Sequence, residues 1–243
     1  MPISPAAIAL IAGASATGLA IGGYYYASLW PTSQIFGRTL TAPHKPGEIA
    51  LTFDDGPNSA FTPRLLEILD RYGVKATFFL VGKYASQQSA LTQLIASSGH
   101  VVGNHTWSHP NLSHTAPGKV REELRTTNDA LEQITGQPIR FFRPPFGARR
   151  PDVLRTAREL GLTPVTWNAM TNDWAEPSAD RIAATISAKV DRLHSCGFAA
   201  NIVLHDGGHL EPTANREPSI TAAGQLLERY AKTHRFVTVT EWA

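Results

Sequence analysis

With Cys196 as its only cysteine, the chain can form no intrachain disulfide and has no Cys-rich zinc site, which leaves its redox compartment open. Charge is also scarce. The formal net charge is +2, no long run of Lys and Arg occurs, and nothing marks nucleic acid as a partner. Arg149, Arg150, Arg155 and Arg158 form a basic patch that a solvated helix face explains as well as a ligand does. No internal repeat is present, and there is no low-complexity segment beyond the amino terminus. What is there, 42% hydrophobic and 17% charged residues, is the composition of a folded chain and not a disordered one.

The first charged residue is Arg38, and Ala6 to Leu29 is an uncharged run long enough to span a bilayer as a helix. Tyr24, Tyr25, Tyr26 and Trp30 stand at its far end, where interfacial aromatics are expected. Ala14-Ser15-Ala16 offers the rival reading, a signal-peptide cleavage site. Residues 1–30 are therefore expected to be a membrane anchor or a signal segment. Both send the remainder across the membrane, tethered there or secreted. Pro31, Pro43 and Pro46 suggest a linker over residues 31–47.

From Glu48 onward, strand-like and helix-like patterns alternate. Strands are expected at Ile49–Phe53, Ala76–Val81, Val101–Val102, Ile139–Phe142, Thr163–Trp167, Asn201–Leu204 and Phe236–Val239. Helices fall between them, several closed by Gly73, Gly99, Gly136 or Gly161. Seven such units predict an α/β domain over residues 48–243, with a parallel sheet curled into one closed or nearly closed barrel.

The chemistry collects just after strand ends: Asp54 and Asp55 after the first, His105 and His109 after the third, and Arg143 after the fourth. Asp173-Trp174 and His205 follow the fifth and sixth. In a parallel barrel these ends open on one face, where active sites are built. Two adjacent carboxylates repel and are most easily held together with a cation beside them. His105 and His109, at i and i+4, have the spacing of a metal-binding pair. Two His and one Asp leave coordination positions open for water and substrate, as catalytic zinc requires, and the same set admits other divalent transition metals.

Thr52-Phe53-Asp54-Asp55-Gly56-Pro57, His105-Thr106-Trp107-Ser108-His109-Pro110, Arg143-Pro144-Pro145-Phe146-Gly147, Asn172-Asp173-Trp174 and Val203-Leu204-His205-Asp206 occur in this order. In these motifs the chain, from about Glu48 to its end, resembles the NodB-type polysaccharide deacetylases, carbohydrate esterase family 4. The resemblance implies a distorted (β/α)7 barrel, here preceded by an apolar amino-terminal helix, that removes acetyl groups from N-acetylated sugars. It implies Asp55, His105 and His109 as ligands of a divalent metal, zinc first and cobalt as an alternative. Asp54 matches the general base, Arg143 the arginine that orients it, and His205 the general acid. The Phe146 N–H matches an oxyanion donor, and Trp174 and Leu204 match walls of the acetyl pocket.

The sequence departs from the pattern where many family members carry an Asp that supports the acid histidine. That position is Met170 here, and Asn168 replaces another common Asp. Either Asp173 supports His205 or the histidine works without a carboxylate. His114 and His209 read as loop histidines. The expected partner is an N-acetylated glycan of chitin-oligosaccharide or peptidoglycan type. Ester cleavage on acetylated xylan, and a silent glycan-binding module held at a membrane, are the alternatives.

Overall fold

A computed structural model describes residues 21–243. A helix over residues 21–29 (α1) leads to β1 (Glu48–Asp54), α2 (Thr62–Arg71), β2 (Thr77–Leu80), α3 (Gly82–Gln87), α4 (Ser89–Ser97) and β3 (Val101–Asn104). Then come α5 (Pro117–Thr135), β4 (Phe141–Phe142), α6 (Pro151–Glu159), β5 (Thr163–Pro164) and β6 (Ala169–Met170). The chain ends with α7 (Ala179–Ser195), β7 (Ala200–His205), α8 (Glu217–Tyr230) and β8 (Arg235–Val237). Proline in the first turn opens α2, α5, α6 and α8, where its missing N–H costs nothing, and Gly136 in a left-handed conformation closes α5.

Every ladder among the described strands is parallel, in the order β5-β4-β3-β2-β1-β7-β6, with β8 beside the first half of β1. Period-two alternation sorts the side chains. Ile49, Leu51 and Phe53 of β1 and Ala200, Ile202 and Leu204 of β7 join the outer core under the helices. The barrel interior is smaller: Phe79, Phe141, Val165 and Val239 cluster there, below a polar layer that contains Thr52, Arg143 and Asn201.

The structure departs from the expected seven strands in two ways. A short extra strand, β6, pairs with β7, because Ala169 and Met170 turn back beside Ile202 and Val203. The strand expected at 163–167 keeps its ladder with β4 only over Thr163 and Pro164, and Pro164 has no N–H to offer a strand on its other side. The sheet is consequently open there, and among the described residues no ladder joins β5 to β6. The seam is filled by residues 39–41, within the stretch expected as a linker. Leu40 bridges Val165, Thr166 N donates to Leu40 O at 2.9 Å, and Asn201 Nδ2 donates to Thr41 O at 2.8 Å.

The expected amino-terminal segment, residues 1–30, falls mostly outside the described residues. Of the described part, Ala27 and Ser28 are buried against the barrel. Among the described residues no helix is long and apolar enough to cross a membrane.

Candidate active site

Asp55, His105 and His109 leave the ends of β1 and β3, which lie on either side of β2, and their side chains meet. One ligand atom from each lies within 4.8 Å of the other two, and all three residues are buried. His109 Nε2 and His105 Nε2 stand 3.1 and 3.5 Å from Asp55 Oδ1. Neither contact has hydrogen-bond geometry, so this buried oxygen has no donor. Buried carboxylate oxygens are rarely left so. His105 Nδ1 faces the Arg143 carbonyl at 2.8 Å, so that nitrogen carries the proton and Nε2 presents its lone pair. Burial also pushes the His105 pKa down to about 4, which keeps the ring neutral, as a metal ligand must be. Burial pushes the Asp55 carboxyl up, but the imidazoles of His109 and His209 more than reverse this and hold it well below its usual range. A hard, donor-free oxygen facing two imidazole nitrogens fits a divalent cation.

The backbone around these groups is unusual in a consistent way. Among the described residues, the non-glycine residues with positive φ are Asp55 (70°), Thr106 (67°), His109 (59°) and Phe146 (58°), all in the loops at this mouth. Such conformations are sparse for residues with a Cβ and persist only where the surroundings over-determine them. For the His105–His109 loop the restraint is visible. Glu123 of α5, almost fully buried, accepts hydrogen bonds from Trp107 N, Ser108 N and Ser108 Oγ, each at 2.8 Å. Asn104 Oδ1 accepts from Thr106 N, and Thr106 Oγ1 from His109 N.

Asp54 sits beside the cluster, its Oδ2 3.8 Å from His105 Nε2. Arg143 Nη1 donates to Asp54 Oδ1 at 2.8 Å and to Thr52 Oγ1 at 2.6 Å. The guanidinium is wholly buried and lies over the Phe79 ring at 4.2 Å. On β7, where His205 is the register partner of Asp54, Asp173 Oδ1 lies 2.9 Å from His205 Nδ1, while its Oδ2 accepts from His205 N and from Ser219 Oγ. Of the two possibilities left by Met170, the first holds: Asp173 is the carboxylate partner of His205.

Asp54, Asp55, His105, His109 and His205 line one cleft of about 310 Å³, within the range of small-molecule sites. Trp174 and Phe146 flank it, each about half exposed, with Trp174 edge-on to His205. Leu204 is a correction. It faces the helices from the outer core, and the β7 residue on the cleft wall is Val203, two before His205 and so on the same face. His209, read as a loop histidine, is another. It stacks on His109 at 4.3 Å, with its Nδ1 3.5 Å from Asp55 Oδ2. His114 is exposed and lines no part of the cleft. Period-two alternation back from His205 would have pointed to Val203, whereas Glu123 carries no signal in the sequence.

Residues 41–165 match the family described as polysaccharide deacetylase. The chain is 34% identical to a peptidoglycan-N-acetylglucosamine deacetylase of Bacillus cereus over 205 residues, 84% of this chain and 71% of that protein. It is 39% identical to a chitooligosaccharide deacetylase of Bradyrhizobium sp. over 160 residues, 65% of this chain and 70% of that one. Its fold is similar to the crystal structure of the Bc1960 peptidoglycan N-acetylglucosamine deacetylase in complex with 4-naphthalen-1-yl-N-oxidanyl-benzamide. There the TM-score is 0.73 and the identity 35%, across 84% of this chain and 91% of that one.

Proposed function

The chain belongs to the polysaccharide deacetylase family, and from that premise we propose that it hydrolyses the acetamide of N-acetylglucosamine units in an envelope or extracellular glycan, with a divalent ion at Asp55, His105 and His109. The observation that carries this reading is that a carboxylate held by an arginine, a three-ligand cluster and a histidine held by a carboxylate converge on one cleft. Asp54–Arg143 stands beside the three-ligand cluster, and His205–Asp173 reaches the same cleft from β7, the strand next to β1, where His205 is the register partner of Asp54.

A divalent ion there would polarise the amide carbonyl and acidify water. Asp54, oriented by Arg143, accepts the proton of the attacking water. The Phe146 N–H is the main-chain donor for the oxygen that gains charge as the carbonyl carbon becomes tetrahedral. His205, whose Nδ1 is engaged by Asp173, gives its Nε2 proton to the sugar nitrogen as the C–N bond breaks. The products are acetate and the free amine. Trp174 and Val203 are the apolar surfaces available to the acetyl methyl. Export of the domain, supported by the uncharged run Ala6 to Leu29, belongs to the same proposal and is checked by cell fractionation.

The test is acetate release from peptidoglycan, chitin oligomers and acetyl-xylan, with the metal removed and with Zn²⁺ or Co²⁺ restored. Release from the N-acetylated glycans, lost on chelation and regained with metal, is expected. Asp54→Asn should lose that release by at least 100-fold and still bind metal. Turnover on acetyl-xylan alone would move the enzyme to ester cleavage, and glycan binding with no metal-dependent turnover would make it a binding module.

A further inference from the structure

Arg149 belongs to the basic patch that the sequence presents as a solvated helix face, yet it is wholly buried. Among the described residues it has no carboxylate partner, and burial pushes its pKa down to about 10. Its charge is spread over main-chain carbonyls. Nη1 donates to Gly147 O at 2.8 Å and Ser28 O at 3.3 Å, and Nη2 donates to Trp30 O at 2.6 Å and Ser33 O at 2.7 Å. Arg149 N also donates to Ser28 O at 3.0 Å. Ser28 lies in the last turn of α1, where the unpaired carbonyls and the helix dipole favour a cation.

The carbonyl at the other end of this bridge, that of Gly147, belongs to the turn that presents the Phe146 N–H. Phe146 and Gly147 are consecutive left-handed residues, φ 58° and 68°. A Cβ on Gly147 would stand 3.3 Å from Leu29 O and 3.2 Å from the Trp167 ring, so the turn is pressed against the end of α1. A left-handed phenylalanine needs such outside restraint to persist.

We propose that Arg149 is a positioning residue for the Phe146 N–H, fastening the Pro145–Arg149 turn to the end of α1, so that residues 21–33 are a working part of the catalytic centre. The inference rests on the deacetylase reading above. It assigns those residues a function that the barrel motifs alone do not require.

The experiment uses the full chain with metal bound, and the variants Arg149→Met and Arg149→Lys. In Arg149→Met, kcat should fall about 100-fold, the size expected when a reacting group is misplaced by about an ångström, with KM and Zn²⁺ affinity within about twofold of the unaltered protein. Amide hydrogen exchange should quicken at residues 21–33 and 145–149 together, and Arg149→Lys should recover about tenfold of the lost kcat. An unchanged kcat beside faster exchange at 21–33 overturns the proposal, as does unchanged exchange at 145–149. Equal loss of kcat, KM and metal affinity would show a merely structural residue. Should Arg149→Met not fold, the lysine variant carries the same test: a smaller fall in kcat with KM unmoved supports the coupling, and none overturns it. Absence of acetate release from the unaltered, metal-loaded chain strikes the deacetylase reading, while exchange still reports the coupling by itself.

Discussion

His205 is placed to hold a proton through neutral pH. Burial alone would lower its pKa, but the carboxylate of Asp173, 2.9 Å away, and those of Asp55 and Asp54 outweigh it and raise the ring to about 9. The acid form is thus the populated one below that value and is lost as pH rises through it. A divalent ion on Asp55 cancels part of the attraction, so in the loaded enzyme the alkaline limb of kcat lies at or below 9. Replacing Asp173 by Asn removes the largest favourable contribution, and the alkaline limb should move down by at least one pH unit. A kcat–pH profile of Asp173→Asn that superimposes on the unaltered one would take the proton donor's support away from Asp173. Asp206, beside this histidine, is a different case. It is wholly buried, it accepts from Thr62 Oγ1, and burial raises its carboxyl to about 7. Packed against Gly56, it supports the Asp54–Gly56 bend from beneath.

Among the elements, α5 bears most directly on the cluster. Its Glu123 anchors two amides and a hydroxyl of the loop that carries both histidine ligands. Asn128, one turn further on, accepts from Asn104 Nδ2 at 2.6 Å. Glu123→Ala leaves the partly buried Trp107 and Ser108 N–H groups without this acceptor, at roughly 0.5–1.5 kcal/mol each. For a domain of this size that corresponds to a fall in melting temperature of about 2–12 °C. Because the loop also sets the spacing of His105 and His109, metal affinity should drop by about 10- to 100-fold. Calorimetry and competition with a chelator measure the two effects separately. A variant that loses stability yet binds metal as before would show that Glu123 supports the barrel but not the ligand loop.

At the scale of the molecule, the ligands come from the loops after β1 and β3, so a bound ion would tie together two strand ends that lie on either side of β2. Binding to the folded state alone at 100 times Kd contributes about 2.7 kcal/mol. Added Zn²⁺ should therefore raise the melting temperature by about 5–10 °C. Asp55→Ala should abolish that rise. A Zn²⁺ response that survives the substitution would place the ion elsewhere.

The alternation of apolar strand and helix patterns, the proline starts and glycine stops, and the polar residues after strand ends were all legible in the chain itself. They are local, with spacings of two or 3.6 residues that need no knowledge of distant contacts. That much determined an α/β domain with its polar chemistry on one face, and the same alternation, counted back from His205, would have put Val203 and not Leu204 on the cleft wall. The tertiary structure alone decided that Asp55 meets His105 and His109, because that meeting depends on β1 and β3 flanking one strand. It also decided that Asp173 is the partner of His205 and that residues 39–41 fill the seam. Glu123 and Arg149 were beyond the sequence for a common reason: their partners are backbone N–H and C=O groups. Nearly every residue carries those groups, so which of them a buried side chain meets leaves no mark in the order of amino acids and is set by the fold.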